Sequence, residues 1–138
     1  MDGQYFDDLG KLYLVHLTFD VLNHLKHLFY NTNQKREDKM RIAQAIAAIQ
    51  LAVIESKKYV ENVGYETNEE LVKLWQEAFQ KTVAAKADKS LAESLYYKAE
   101  FWGTPQDWLS NPQALNLVPK FNELREECKM LLIEMNNK

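Results

Sequence analysis

One cysteine, four glycines, three prolines and three histidines are all that the 138 residues hold of these types, and each scarcity excludes something. A lone Cys128 cannot close an internal disulfide, which removes the disulfide scaffolds. So few glycines and prolines leave little room for the tight turns of a domain built from many short strands. No apolar run is long enough to cross a bilayer. The most apolar window, Ile42 to Ile54, has 13 residues and includes Gln44 and Gln50, against the roughly 20 a spanning helix needs. An excess of positive charge is also missing, since 17 basic residues face 20 acidic ones for a formal charge of −3. Lys35, Arg36, Lys39 and Arg41 come closest to a basic stripe, but Glu37 and Asp38 interrupt it. Nucleic-acid binding relies on counterion release by a net basic surface and is not expected. There is no glycine-rich phosphate loop, serine-centred elbow or His-Glu-x-x-His helix, so no motif marks an enzyme and none calls for a cofactor.

What the chain does have is 46% apolar and 27% charged residues, with leucine and alanine outnumbering valine, isoleucine and threonine. That balance suits a helical globular domain. Gln4 to Tyr30 reads as a long amphipathic helix, with Leu17, Val21, Leu22, Leu25, Leu28 and Phe29 on one side and His16, Asp20, Asn23, His24 and His27 on the other. A second helix, about Glu37 to Val63, aligns Ile42, Ile46, Ile49, Val53 and Val60. Ala43, Ala47, Leu51 and Ile54 cover much of the rest. Its first half, apolar nearly all round, is expected at the centre of the domain, and Gly64 is placed to stop it.

Thr67 with Glu70 has the spacing of a capping box, starting a helix that presents Leu71, Leu74, Trp75, Ala78, Phe79 and Thr82. Asp88 can cap the next, whose stripe is Leu91, Leu95, Ala99 and Trp102. Trp102 to Leu117 holds two of the three prolines and two of the three tryptophans, and it is expected to be the longest irregular stretch, with a short turn after Asn111-Pro112. Pro119 can begin the last helix, where Leu117, Phe121, Leu124, Cys128, Leu131 and Met135 form a short heptad seam. The expectation is one all-α domain over residues 1–138, a mostly antiparallel helical bundle of four principal helices plus an N-terminal arm or fifth helix.

Three groups carry possible chemistry. His16, Asp20, His24 and His27 recur at offsets of four, four and three, which gathers imidazoles and a carboxylate of the kind that bind zinc or iron on one helix face. That face lies opposite the leucines, so a solvated polar surface is the first expectation and a metal site, in a metal-binding protein or a metal-assisted enzyme, the alternative. Cys128 sits on the apolar seam with no histidine expected near it and reads as a buried structural thiol. Tyr96, Tyr97, Phe101, Trp102 and Trp108, with Trp75, could plug the end of the bundle, meet a protein partner through Trp102, Pro105 and Trp108, or line a small-molecule pocket. Of these, the plug is expected.

Leu74-Trp75, Leu91-Ala92-Glu93, Lys98 and Trp102-x-x-Pro105-x-x-Trp108 together resemble a group of small, all-helical bacterial proteins to which no biochemical role is assigned. The likeness covers about a quarter of the chain. It implies a bacterial origin and a structural use for the Trp-Pro-Trp loop, and it transfers no site residue. Ample apolar faces without converging reactive groups point to a non-enzymatic interaction or scaffold module with a protein partner or self-association. Peripheral membrane association through the first helix is a further alternative. It is disfavoured because the polar side of that helix is acidic and histidine-rich rather than lysine-rich. With acidic Asp2, Asp7 and Asp8 where a secretory signal would be basic, a cytoplasmic location is expected.

Overall fold

The computed structural model describes residues 16–31, 33, 35–108 and 117–137, and among them it contains six helices and no strand. These are α1 (Leu17–Phe29), α2 (Arg36–Asn62), α3 (Glu69–Ala84), α4 (Lys89–Gly103), the single turn α5 (Pro105–Trp108) and α6 (Val118–Asn136). The part of the expected first helix before His16, and the turn after Asn111-Pro112, lie outside the described residues.

Short connections fold α2, α3 and α4 back on one another, and α6 packs on the free flank of α2. The row α4–α3–α2–α6 is closed by α1, which touches α4, α2 and α6. Periodicity explains the closure. Val21, Leu22, Leu25 and Phe29 fall on one face of α1, and all are buried, whereas Asp20, Asn23 and His27 on the other are exposed. The α6 seam holds throughout, with Leu117, Phe121, Leu124, Cys128, Leu131 and Met135 all interior.

The α2 helix supplies Ile42, Ala45, Ile46, Ile49, Ala52 and Val53 to the core, each fully buried. It is not enclosed all round, however. Ala47 is exposed and Leu51 is 47% exposed, because α3 and α6 flank α2 and α1 covers one side, leaving the outer face to water.

Helix ends mostly follow local chemistry. Gly64 has φ 120°, a value that favours glycine, and its N–H donates to the Tyr59 carbonyl at 3.1 Å just past the end of α2. The cap of α3 falls one residue later than the Thr67 spacing implies: Asn68 Oδ1 accepts from Leu71 N at 3.0 Å. Thr67 is drawn away by tertiary structure, its hydroxyl donating to the Gly103 carbonyl at 3.3 Å. Asp88 caps α4 by accepting from Leu91 N at 3.1 Å, and Pro119 lies in the first turn of α6.

Candidate functional site

A polar thread runs through the interior and joins four helices. Ser56 of α2 accepts the indole N–H of Trp75 of α3 at 3.0 Å. The ammonium of Lys98 on α4 lies 4.4 Å from the centre of the Trp75 ring and donates to Thr18 Oγ1 of α1 at 2.8 Å. All four residues are fully buried. Burial shuts the lysine head off from solvent, and this desolvation holds its pKa well below the ordinary 10.5. The indole face and the threonine oxygen take over part of the lost solvation.

A lysine of lowered pKa is the kind that acts as a nucleophile when substrate can reach it. Lys98 is sealed, and none of the clefts described below includes it. Sequence reading missed its depth because lysine usually keeps its head in water. The signal was present nonetheless, since Lys98 follows Leu91 by seven residues and Leu95 by three, on the stripe that ends at Trp102.

The histidine-bearing face of α1 does not converge. His16, Asp20 and His27 are exposed. His24 is partly covered because its Nε2 accepts the backbone N–H of Asp88 at 2.8 Å, tying α1 to the start of α4. That imidazole lone pair is therefore used in holding two helices together. Among the described residues, no group of three or more His, Cys, Asp or Glu side chains is arranged to hold a metal ion. The Cys128 thiol is fully buried, and desolvation first, then the nearby Glu127 carboxylate, pushes its pKa up to about 12. At neutral pH it is neither thiolate nor accessible.

The aromatic group separates into two parts. Trp102 is fully buried and organises the loop between α2 and α3: Tyr65 stacks on it at 6.3 Å, Tyr59 meets it edge-on at 5.8 Å, and its carbonyl accepts Asn68 N at 3.0 Å. Its indole N–H has no hydrogen-bond partner. The Tyr65 hydroxyl accepts Leu117 N at 3.2 Å, so the same cluster anchors the start of α6. Pro105 is buried and Trp108 is half-buried, which leaves little of the Trp-Pro-Trp element on the surface. Tyr96 and Tyr97, by contrast, are exposed on α4, with Phe79 meeting Tyr96 edge-on at 5.6 Å.

An open groove of about 850 Å³ lies where the end of α1, the start of α2 and the last turns of α6 meet. Two smaller clefts lie beside it in size only. One of about 510 Å³ separates α2 from α3 around Leu51 and Leu74, and one of about 220 Å³ separates α3 from α4 around Val72 and Tyr96. Nine large apolar side chains are exposed among the described residues, and two of them line the first groove. These are Met40 and Ile133, each 54% exposed. No protein-family model, curated protein or solved structure matches the chain.

Proposed function

We propose that the chain is a non-enzymatic protein-interaction or scaffold module. The observation that carries this reading is an apolar groove with Met40 and Ile133 exposed along it, because exposed apolar surface on a small domain is a mark of contact with another molecule. The reactive groups support it from the other direction. The amine of Lys98 and the thiol of Cys128 are interior, and the imidazoles of α1 are spread along a helix with one of them engaged by Asp88. The Trp102, Pro105 and Trp108 element contributes support beneath the surface rather than an anchor on it, which moves the proposed contact to the groove at the end of α1.

A cytoplasmic setting is part of the proposal, supported by a lone, buried cysteine that needs no oxidising compartment. No helix among the described residues is long and apolar enough to cross a membrane. Light scattering together with affinity capture from lysate tests the reading. Self-association, or a captured protein that survives washing at physiological salt, is expected, and a strict monomer that captures nothing overturns it.

A further inference from the structure

Resting on the interaction reading, we infer that the groove between α1, α2 and α6 receives an amphipathic helix of a protein partner, with an apolar face and acidic flanks. Its floor is hydrocarbon, from Phe29, Ala43, Leu132 and Met135, and its lips are Met40 and Ile133, each 54% exposed. The charged side chains that line it are both cations, Arg36 and Lys39, and the Lys39 ammonium sits 5.2 Å from the centre of the Phe29 ring.

No carboxylate is among the described residues that line the groove. Asp38 pairs with Arg41 at 3.4 Å and with Lys86 at 3.7 Å, on the side of the α3–α4 connection. Glu134 faces the phenol of Tyr30. Glu37 is exposed in the first turn of α2, and neither it nor Glu134 lines the groove. A lining of two cations on a chain of net charge −3 is a local reversal of sign, and it selects a negatively charged visitor.

The shape of the visitor follows from what the groove lacks. Its walls are helices, and the described residues offer no sheet edge, so an entering backbone finds no ladder of donors and acceptors to pair with. A helix satisfies its own backbone and needs only an apolar stripe at positions i, i+3, i+4 and i+7, which is what a methionine-lined trough accepts. A second copy of this chain fits less well. A groove lined by Arg36 and Lys39 offers no acidic flank to an identical groove.

The test is selection on the full chain from a phage-displayed library of helical peptides, with a fixed leucine stripe and randomised flanking positions. Enrichment of Glu and Asp at the flanks is expected. The selected peptides should then lose about tenfold or more in affinity toward the double variant Arg36→Glu, Lys39→Glu, and toward Met40→Asp. Because Arg36 and Met40 are exposed and Lys39 is only partly covered, circular dichroism should find these variants folded. A library with no binders, flanks without acidic bias, or binders indifferent to both variants would overturn the inference. So would a dimer in sedimentation that Met40→Asp dissolves, since the groove would then belong to a second copy. If capture from lysate persists in both variants, the groove assignment fails while the interaction reading stands.

Discussion

At the scale of single residues, the fold asks most of Lys98. Its position was readable, because the α4 stripe requires something interior there; its residue type argued the other way, and the partners that reconcile the two, Thr18 and Trp75, come from helices 80 and 23 residues earlier in the chain. No local pattern links them. The consequence is a pH dependence whose sign is fixed. A lysine whose folded pKa is lowered binds fewer protons in the native state than in the unfolded state, so its contribution to stability rises with pH up to the ordinary value of 10.5 and falls away as pH drops through the folded value. Denaturant titrations across neutral to alkaline pH should therefore find the wild type gaining stability relative to Lys98→Met. The comparison with the variant matters because Cys128, raised from 9.0 to about 12, acts in the opposite sense and loses its contribution between those values in both proteins. Parallel curves for wild type and Lys98→Met would contradict the lowering of the Lys98 pKa by burial. Lys98→Ala, which also removes the aliphatic stem, should cost about 2–5 kcal/mol, in line with other large buried truncations. A second residue-scale expectation concerns Cys128 itself: a disulfide reagent should modify it no faster than the protein unfolds globally, and rapid labelling of the native chain would mean the seam is open.

Helices and their ends were legible in proportion to how local their causes are. The α6 seam and the buried face of α1 depend on periodicity alone, and both are as the residue spacing predicts. Asp88 as a cap depends on a side chain and a backbone three residues apart, and it too is found. The cap of α3 was misplaced because Thr67 has a competing partner, the Gly103 carbonyl, that only the tertiary fold provides. The two assignments make different predictions. Asn68→Ala should lower stability by about 1 kcal/mol, as loss of a cap does, and Thr67→Ala by clearly less, since its bond is long and exposed. The reverse order in thermal denaturation would restore the capping box. The histidine face of α1 is a similar case. Its outward orientation was legible, but the engagement of His24 by Asp88 N was not, because α1 and α4 are far apart in sequence. With one ring nitrogen of His24 committed, calorimetric titration with zinc should find affinity no tighter than an exposed helical histidine pair provides. Tight binding abolished by His16→Ala or His27→Ala would favour the metal reading.

For the molecule as a whole, the question is whether α1 is an integral wall of the bundle or an arm laid against it. The α2–α3–α4 row is stitched by short connections, and α6 extends it, so α1 could in principle detach and leave a layer behind. Its interior face argues against that: Val21 and Leu25 are fully buried, Leu22 nearly so, and Thr18 completes the polar thread that reaches Ser56 through Trp75. Loss of α1 would expose these side chains' partners on α2, α4 and α6 together, and it would leave the Lys98 ammonium without the Thr18 oxygen. A domain of this length and contact pattern should therefore unfold in one transition. Leu25→Ala on α1 should destabilise by about 2.7–5 kcal/mol, the range for buried leucines that leave a cavity. It should do so by moving the denaturant midpoint at unchanged slope, with helical signal and tryptophan fluorescence falling together. Phe121→Ala on α6 should behave in the same way and by a comparable amount. An early transition confined to Leu25→Ala, with Trp75 and Trp102 still reporting a native environment, would make α1 a separable arm. The groove formed at its end would then exist only while that arm is docked.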